Sequence, residues 1–406
     1  MNHVLIPLLL ACLFLAGCQK SNNKSVLVID LNQALETPGD FRLSDLVSDV
    51  EIIELDTVKD AYFVNSMGLT LTDHFICFAC DIQKKAYLFD RSGKFIRNVG
   101  RVGKGPGEYV WPRMVAVSPD ERYIVVGDES TRKLILYDIN GQYIRERRFK
   151  EDNPAFTLVS MAFKDNGNFM VTFRRPSRPV PGFASILTYD LNLKVVQRIL
   201  PRSADPEEAM SNLSYMSMIR SEDGFCFWET YKDTLYYIDK EGMVEPQYHI
   251  GIKNHCFSMG FGLPEFDSSG KQAICTMIMD VLDLPDRLFI DVIHMGESRN
   301  VLYDKKLKRA FSIGQPIACD TADNSWVKTS VINDVFGIEP INISNYNPDK
   351  KEIIARVMPG WAVDSHDITC LRQRNVTLPA IRDRLADLIE SADGVANMAI
   401  VVMKLK

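Results

Sequence analysis

The stretch GRVGKGPGEYVWP, residues 100–112, combines four glycines with a lysine and so has the residue types of a phosphate-binding loop. Such a loop also needs a Ser or Thr hydroxyl after the lysine to hold Mg²⁺, and a helix N-terminus beside the anion. Here Gly105 and Pro106 follow Lys104, and proline has no backbone N–H to donate. We interpret the stretch as a connector, in which glycines permit positive φ where the chain turns between two strands.

Cys77 and Cys80 have the CxxC spacing of metal and redox sites, but they lie in the apolar run HFICFACD. Because residues three apart in a strand face opposite sides, we interpret both as packing residues, with a metal or redox pair as the alternative. The other cysteines are widely spaced, and seven of the nine would remain once Cys12 is removed and Cys18 acylated (see below). This odd count predicts no disulfide framework.

The usual catalytic motifs HExxH and GxSxG and an acidic calcium loop do not occur in the sequence. The six histidines are scattered along the chain. We therefore predict no catalytic residue, metal site or cofactor, which favours a protein that is not an enzyme. A ring-shaped fold can gather single residues from distant repeats, so a metal-dependent hydrolase or lyase with an axial site remains the alternative.

Arginines and tryptophans supply the best candidates for a binding site. The loop FRRPSRPVPGF, residues 173–183, is charged and rich in proline, and the four tryptophans lie at the boundaries of repeats. We expect a ligand to contact five residues at one rim of the fold: Trp111, Arg113, Arg174, Arg175 and Trp228. The alternatives are a solvated loop and tryptophans that pack between repeats.

Six repeated hairpins must position these residues. Five apolar strands end in an aspartate followed by a short polar turn and a second strand, at Asp90, Asp138, Asp190, Asp239 and Asp304. A weaker sixth copy ends in Asn347. The second unit shows all four strands, MVAV, YIVVG, LILYD and YIRERRF, between turns. Four antiparallel strands repeated about every 50 residues predict an all-β, six-bladed β-propeller.

Further elements are predicted outside the repeated hairpins. VEIIELDT, residues 50–57, precedes the first full repeat and is the candidate strand that closes the ring. The long spacing before Asp304 contains Ile274, Ile278 and Val281 at helical intervals, which predicts a short inserted helix. LPAIRDRLADLIESADG predicts a C-terminal helix, with Ile381, Leu385 and Leu388 on one face, and the strand NMAIVVMKLK follows it.

The N-terminus carries an apolar run from Val4 to Leu15 that is too short to span a bilayer, followed by Leu15-Ala16-Gly17-Cys18. This is similar to the lipobox of bacterial lipoproteins, in which the cysteine is acylated. We predict a signal peptide over residues 1–17, a lipidated tether over 18–25 and the propeller over 26–406. The expected partner is a membrane bound through Cys18, with the outer membrane favoured because Gln19 is not the aspartate of inner-membrane retention. The net charge of −6 argues against nucleic acid as a partner.

The connector and the second unit together look like an NHL-type propeller repeat. The whole chain resembles the six-bladed β-propeller lipoproteins of Gram-negative gut-type bacteria, most specifically in the lipobox, the GKGPGEY connector and the C-terminal helix with its final strand. The resemblance implies a fold and no particular activity. The expected function is a cell-envelope binding or scaffold module for a glycan, peptide or protein.

Overall fold

The structure is a computed structural model. It describes residues 26–406 except 60, 62, 64, 154–156, 175–180, 202–215, 230–232, 253–275, 295–296, 317–328, 340, 360–361, 363–365 and 393–396. Its main elements are six antiparallel sheets, each with a core of four strands, that follow one another along the chain as the blades of a β-propeller. The predicted fold class is therefore confirmed.

The N-terminal part holds two single strands and the first three blades. The single strands are β1 (Leu27–Asp30) and β2 (Val47–Glu54). Blade 1 comprises β3 (Met67–Leu71), β4 (Phe75–Cys80), β5 (Lys85–Asp90) and β6 (Phe95–Asn98), and the connector holds β7 (Arg101–Val102) and β8 (Glu108–Tyr109). Blade 2 comprises β9 (Pro112–Val117), β10 (Tyr123–Asp128), β11 (Lys133–Asp138) and β12 (Tyr143–Arg148). Blade 3 comprises β13 (Leu158–Phe163), β14 (Phe169–Phe173), β15 (Ala184–Tyr189) and β16 (Val195–Pro201).

The C-terminal part holds the other three blades. Blade 4 comprises β17 (Met216–Ser221), β18 (Gly224–Glu229), β19 (Thr234–Asp239) and β20 (Val244–Gly251). Blade 5 comprises β21 (Thr276–Asp283), β22 (Arg287–His294), β23 (Glu297–Asp304) and β24 (Arg309–Ile313), followed by the short pair β25 (Gln315–Pro316) and β26 (Thr329–Ser330). Blade 6 contains β27 (Asn342–Asn347), β28 (Glu352–Val357) and β29 (Ala399–Leu405).

The predicted hairpin aspartates shape the turns between the third and fourth strands of blades 1–5. The carboxylate of Asp90 accepts hydrogen bonds from the backbone N–H groups of Ser92 and Lys94, and Asp190 accepts from those of Asn192 and Lys194. Asp138, Asp239 and Asp304 accept backbone N–H groups of their own turns in the same way. The sixth copy differs, because Asn347 ends β27 and shapes the first hairpin of blade 6.

Blade 6 is closed by strands from the two ends of the chain. Its order is β2-β29-β28-β27, and Ile53 of β2 lies opposite Ile400 of β29 in an antiparallel ladder. This confirms the candidate closing strand. Joining both termini in one blade closes the ring, so that only the short outer edges of the blades stay open.

Three α-helices are described: α1 (Leu31–Glu36), α2 (Ile368–Gln373) and α3 (Pro379–Glu390). The predicted C-terminal helix is confirmed as α3. It begins with a proline, which suits the first helical position because a backbone N–H there would have no acceptor within the helix. Leu385 is buried in the core, and Ile381 and Leu388 pack against it. In the part of the chain that the structure describes, no helix is both long and apolar enough to cross a membrane.

The prediction of a helix that contains Ile274, Ile278 and Val281 is wrong for the residues that the structure describes, because Ile278 and Val281 lie in strand β21. A β-bulge explains the misleading spacing. Ile278 pairs with Val292, but Asp280 pairs with Asp291, so β21 has one extra residue. Ile278 and Val281 therefore both face the core, three residues apart, and imitate a helical period. Residue 274 lies outside the described residues.

The glycine-rich connector joins β6 of blade 1 to β9 of blade 2, as predicted. Gly100 and Gly107 have φ of +70° and +68°, which favour glycine. The backbone N–H of Gly105 donates to the carboxylate of Glu108 at 2.7 Å, and Arg101 donates to the same carboxylate at 2.7 Å. The protein's own carboxylate thus occupies a backbone donor that a phosphate loop would offer to an anion.

Three of the four cysteines in the described ranges are packing residues. Cys77, Cys80 and Cys226 are free thiols with buried side chains, and Cys77 and Cys80 belong to different core clusters on opposite faces of β4. Burial raises the pKa of the Cys77 thiol to about 12, so it stays protonated at neutral pH. Cys370, in α2, is disulfide-bonded, so at least one cysteine pair forms that the sequence did not predict.

Candidate ligand site in the axial channel

The innermost strands of the six blades surround a cavity of about 560 Å³ on the axis of the ring. These strands are β3, β9, β13, β17, β21 and β27, and we call the side where they begin the start face and the side where they end the end face. Four methionines from blades 1–4 form much of the apolar wall: Met67, Met114, Met161 and Met218. The size falls within the range of sites for small molecules or for short segments of a polymer.

The ring of inner strands is uneven at blade 5. Strand β17 of blade 4 contacts β27 of blade 6 directly, although blade 5 separates them in sequence. Arg220 of β17 also lies 3.6 Å from the carboxylate of Asp349, just after β27. Strand β21 is therefore set back from the axis, and its side chains reach the channel through a recess.

Asp280 and Arg356 are charged residues in this recess, and both line the cavity with Ser66. The bulge in β21 turns Asp280 away from the side that Ile278 occupies and towards blade 6. Arg356, in β28, donates to the backbone oxygen of Ser66 at 2.7 Å and to its hydroxyl at 2.9 Å. One oxygen of Asp280 accepts the N–H of Val281 at 2.8 Å. An acceptor and a donor thus face the same space.

A second carboxyl lies beside the recess. Asp291 is directly opposite Asp280 on β22, and its carboxylate accepts from the side-chain amide of Asn300. Burial, together with the nearby charge of Asp291, raises the pKa of Asp280 to about 7. Desolvation by the surrounding protein also raises the pKa of Asp291 to about 6, although the residue itself is solvent-exposed. Desolvation lowers the pKa of Arg356 despite the favourable charge of Asp280.

Ion pairs link the turns at the end face of the channel. Lys350 of blade 6 pairs with Asp73 of blade 1, and Arg220 of blade 4 pairs with Asp165 of blade 3. His74 of blade 1 lies 2.6 Å from Glu121 of blade 2. These contacts hold neighbouring blades together and give this mouth alternating charges.

Two of the predicted rim residues lie together near the start of β9. Trp111 is 40% exposed, so part of this residue is accessible to a partner. Arg113 lies 3.5 Å from the carboxylate of Asp81 in blade 1 and 3.4 Å from that of Glu129 in blade 2. Arg113 therefore joins two blades at the start face.

The other three predicted rim residues do not join this pair. Trp228 is 1% exposed and belongs to the hydrophobic core, so it is not a rim residue and its interpretation as packing between blades is correct. The indole ring on β18 points inward because the alternation of that strand directs it towards the neighbouring blade. Arg174 is half-buried at the end of β14, and Arg175 lies outside the described residues.

Sequence reasoning missed Asp280 and Arg356. Each is a charged residue in the interior of a largely apolar strand, TMIMDVLD and EIIARV, whose other charged residue stands at the strand end. Burying a charged side chain among apolar residues costs free energy, so a charge at such a position indicates a function. This signal could have identified both residues.

The histidines that the structure describes do not converge. His249 lies 3.6 Å from Asp233, His294 is 2.8 Å from the hydroxyl of Thr276, and His366 contacts backbone carbonyls at 2.9 and 3.1 Å. Across the described ranges, no group of three or more His, Cys, Asp or Glu side chains has the arrangement of a metal site.

Many solved structures resemble this one, among them two from Bacteroides. A putative exported protein from Bacteroides fragilis NCTC 9343 is 14% identical, with a TM-score of 0.63 over 94% of this chain and 100% of that chain. A member of the DUF4221 family from Bacteroides vulgatus is 11% identical, with a TM-score of 0.48 over 89% of this chain and 97% of that chain. At 14% identity the first match shows a shared fold.

No curated protein matches the sequence significantly. A model of one protein family, described as a domain of unknown function, DUF4934, matches residues 26–403 and thus nearly all of the propeller. The chain therefore belongs to the DUF4934 family.

Proposed function

We propose that this protein is a lipid-anchored binding module of the cell envelope that takes its ligand into the axial channel. The observation that carries the proposal is the cavity of about 560 Å³ bounded by all six blades, with Asp280 and Arg356 in its wall. A rigid ring with one concave site at its centre is a common arrangement for ligand binding.

The lining of the channel suggests the chemistry of the ligand. Asp280 offers an acceptor, Arg356 offers donors, and methionines supply an apolar wall that adapts to irregular shapes. A segment of a glycan or a peptide has hydrogen-bonding groups of both kinds beside apolar surface. We therefore favour a glycan or a peptide over a purely apolar ligand. A protein partner that inserts such a segment into the channel would bind in the same way.

Recognition at the rim complements the channel. Trp111 is partly exposed near the start face, and Arg113, Arg174 and Arg175 remain candidates for contacts there. Trp228 no longer belongs to this set because its ring is buried.

The anchor is the second half of the proposal. The lipobox ending in Cys18 supports removal of residues 1–17 and acylation of Cys18, with residues 18–25 as a tether. The outer membrane is the proposed location because Gln19 follows the acylated cysteine. Several acyl chains on one residue give stable anchoring.

The rival function is a metal-dependent hydrolase or lyase with an axial site. The recess holds the carboxyls of Asp280 and Asp291 next to a guanidinium, and a nearby positive charge opposes the binding of a divalent cation. The geometry therefore supports binding better than metal catalysis.

The test is a glycan and peptide binding screen on the purified propeller, with calorimetry on each hit. At about pH 8, where Asp280 is ionised, Asp280→Asn should weaken the affinity by about 10-fold or more, because it removes a charged acceptor from the channel wall. Thr70→Trp, which fills the cavity without changing a charge, should also abolish binding. Asp120→Asn alters an exposed turn carboxylate and is the matched control.

Three results would decide against the proposal. Binding that survives both channel variants but is lost in Trp111→Ala would move the site to the rim. Binding that survives all of these changes would remove both sites. Stoichiometric zinc or calcium in the purified protein, lost together with a hydrolytic or lyase activity on chelation, would establish the rival.

A further inference from the structure

The N-terminal strand adds a fifth strand to blade 4. β1 pairs in parallel with β20 at the outer edge of the blade, with Leu27 opposite Tyr248 and Asp30 opposite Gly251. β20 runs from the end face, where the hairpin after Asp239 lies, towards the start face. Because β1 runs the same way, the chain reaches Leu27 from the side of the end face.

The distance from this point to the proposed anchor is short. Eight peptide steps separate Cys18 from Val26, and a fully extended chain of that length spans at most about 28 Å. An acyl group on Cys18 therefore keeps the bilayer within about 28 Å of the outer edge of blade 4, which the chain approaches from the side of the end face.

Exposed apolar side chains lie on that same side. Met243 and Leu307 are 64% and 72% exposed, and they lie in the hairpins between the third and fourth strands of blades 4 and 5. Strands of the two hairpins pack together, since the ring of Tyr248 on β20 lies 5.8 Å from that of Tyr303 on β23. The corresponding turns of blades 1–3 carry no exposed large apolar side chain.

The hairpin of blade 5 is also basic. Residues 304–309, DKKLKR, contain one acidic and four basic residues, in a chain whose net charge is −6. Lys305 is half-buried and lies 2.7 Å from the carboxylate of Asp283. Lys306, Lys308 and Arg309 are exposed around Leu307, with Lys306 3.8 Å from Asp286. An apolar residue surrounded by cations suits the headgroup region of an anionic bilayer.

We propose that Met243, Leu307, Lys306, Lys308 and Arg309 form a membrane-contacting surface that fixes the orientation of the propeller. This inference rests on the proposed acylation of Cys18. The end-face hairpins of blades 4 and 5 rest on the headgroups, and the start face, with Trp111 and Arg113, points away from the bilayer. The free mouth of the channel is then the one at the start face.

The experiment labels lysine amines on the lipidated full-length protein in vesicles of phosphatidylcholine and phosphatidylglycerol, and again in detergent, with mass spectrometry of the peptides. Labelling of Lys306 and Lys308 should fall severalfold in vesicles relative to detergent. Lys84 is the matched control, because it is exposed in the turn between β4 and β5 at the start face, near the exposed Ile82. Its labelling should not change.

A second measurement uses the Cys18→Ala protein, which has no acyl chain, and its partition onto the same vesicles. Lys306→Gln and Lys308→Gln should each weaken this partition by about fivefold, since one cation near an anionic surface contributes about that factor. Lys84→Gln should leave it unchanged.

The outcomes separate the two proposals. A mature protein without acyl mass overturns the anchor and the orientation together. A lipidated protein whose Lys306 and Lys308 are labelled equally in vesicles and detergent overturns the orientation alone. If the labelling of Lys306 and Lys308 in detergent fell as the protein concentration rose, this surface would contact a second copy of the chain. That result would also contradict the proposal.

Discussion

At the scale of single residues, the ionisation of Asp280 should affect the stability of the folded protein near neutral pH. Its pKa is raised to about 7 by burial and by Asp291, whereas an aspartate in an unfolded chain titrates near pH 4. The folded protein binds more protons than the unfolded chain between these values, so the free energy of unfolding falls as the pH rises through this interval. Asp280→Asn should remove most of this fall and raise the free energy of unfolding near pH 8 by about 2 kcal/mol. Urea denaturation from about pH 5 to about pH 8 measures both effects.

Asp120 provides a control of opposite sign. Its carboxylate accepts hydrogen bonds from the hydroxyl of Ser118 and the guanidinium of Arg122, both at 2.6 Å, and its pKa is lowered. Stabilisation by a lowered pKa is present above the unfolded value and is lost as the pH falls through the folded one. Asp120→Asn should therefore destabilise the protein at neutral pH, with a difference that shrinks in acid. An Asp280→Asn protein with the wild-type pH dependence would contradict our account of the recess.

At the scale of elements, the connector depends on Gly107. Its φ is +68°, and a Cβ at this position would lie 2.7 Å from two ring carbons of Tyr143. Gly107→Ala therefore adds a steric clash to the strain of a left-handed backbone, and we expect a loss of about 2–3 kcal/mol in the free energy of unfolding. Chemical denaturation gives the value.

Gly167→Ala separates the two causes. Gly167 has a similar φ of +80°, but a Cβ there would meet no atom within 4 Å. This variant should lose only about 1 kcal/mol, the cost of the backbone alone. Equal losses in the two variants would show that contact with Tyr143 does not restrict the connector.

At the scale of the whole molecule, the ring depends on its closing blade. Ile53 of β2 is 3% exposed and lies opposite Ile400 of β29, so Ile53→Ala removes buried contacts between strands from the two ends of the chain. We expect a loss of about 2–4 kcal/mol. Since all blades share one closed ring, tryptophan fluorescence and far-ultraviolet circular dichroism should still report one coincident unfolding transition at a lower urea concentration.

Val28→Ala is the matched control for the closing strand. Val28 also lies in an N-terminal edge strand, but it is 68% exposed and β1 does not close the ring. Its substitution should change the free energy of unfolding by no more than about 0.5 kcal/mol. Two separate transitions in Ile53→Ala would mean that blade 6 unfolds independently and that closure does not couple the blades.

The amino-acid sequence by itself determined the hairpins, the number of blades, the closing strand and the C-terminal helix. These features rest on local rules: alternation of apolar residues, aspartates that accept the N–H groups of their own turns, and proline at the start of a helix. Such rules act over a few residues, so they can be read without knowing what packs beside them.

Tertiary structure alone decided which side chains face the channel. One extra residue in β21 reverses the side on which Asp280 lies and gives the apolar residues of a strand the spacing of a helix. The burial of Trp228, the recess beside blade 5 and the parallel pairing of β1 with β20 likewise depend on contacts between segments far apart in the chain. A strand has two faces, and only the neighbouring blades determine which face meets the core and which meets the channel.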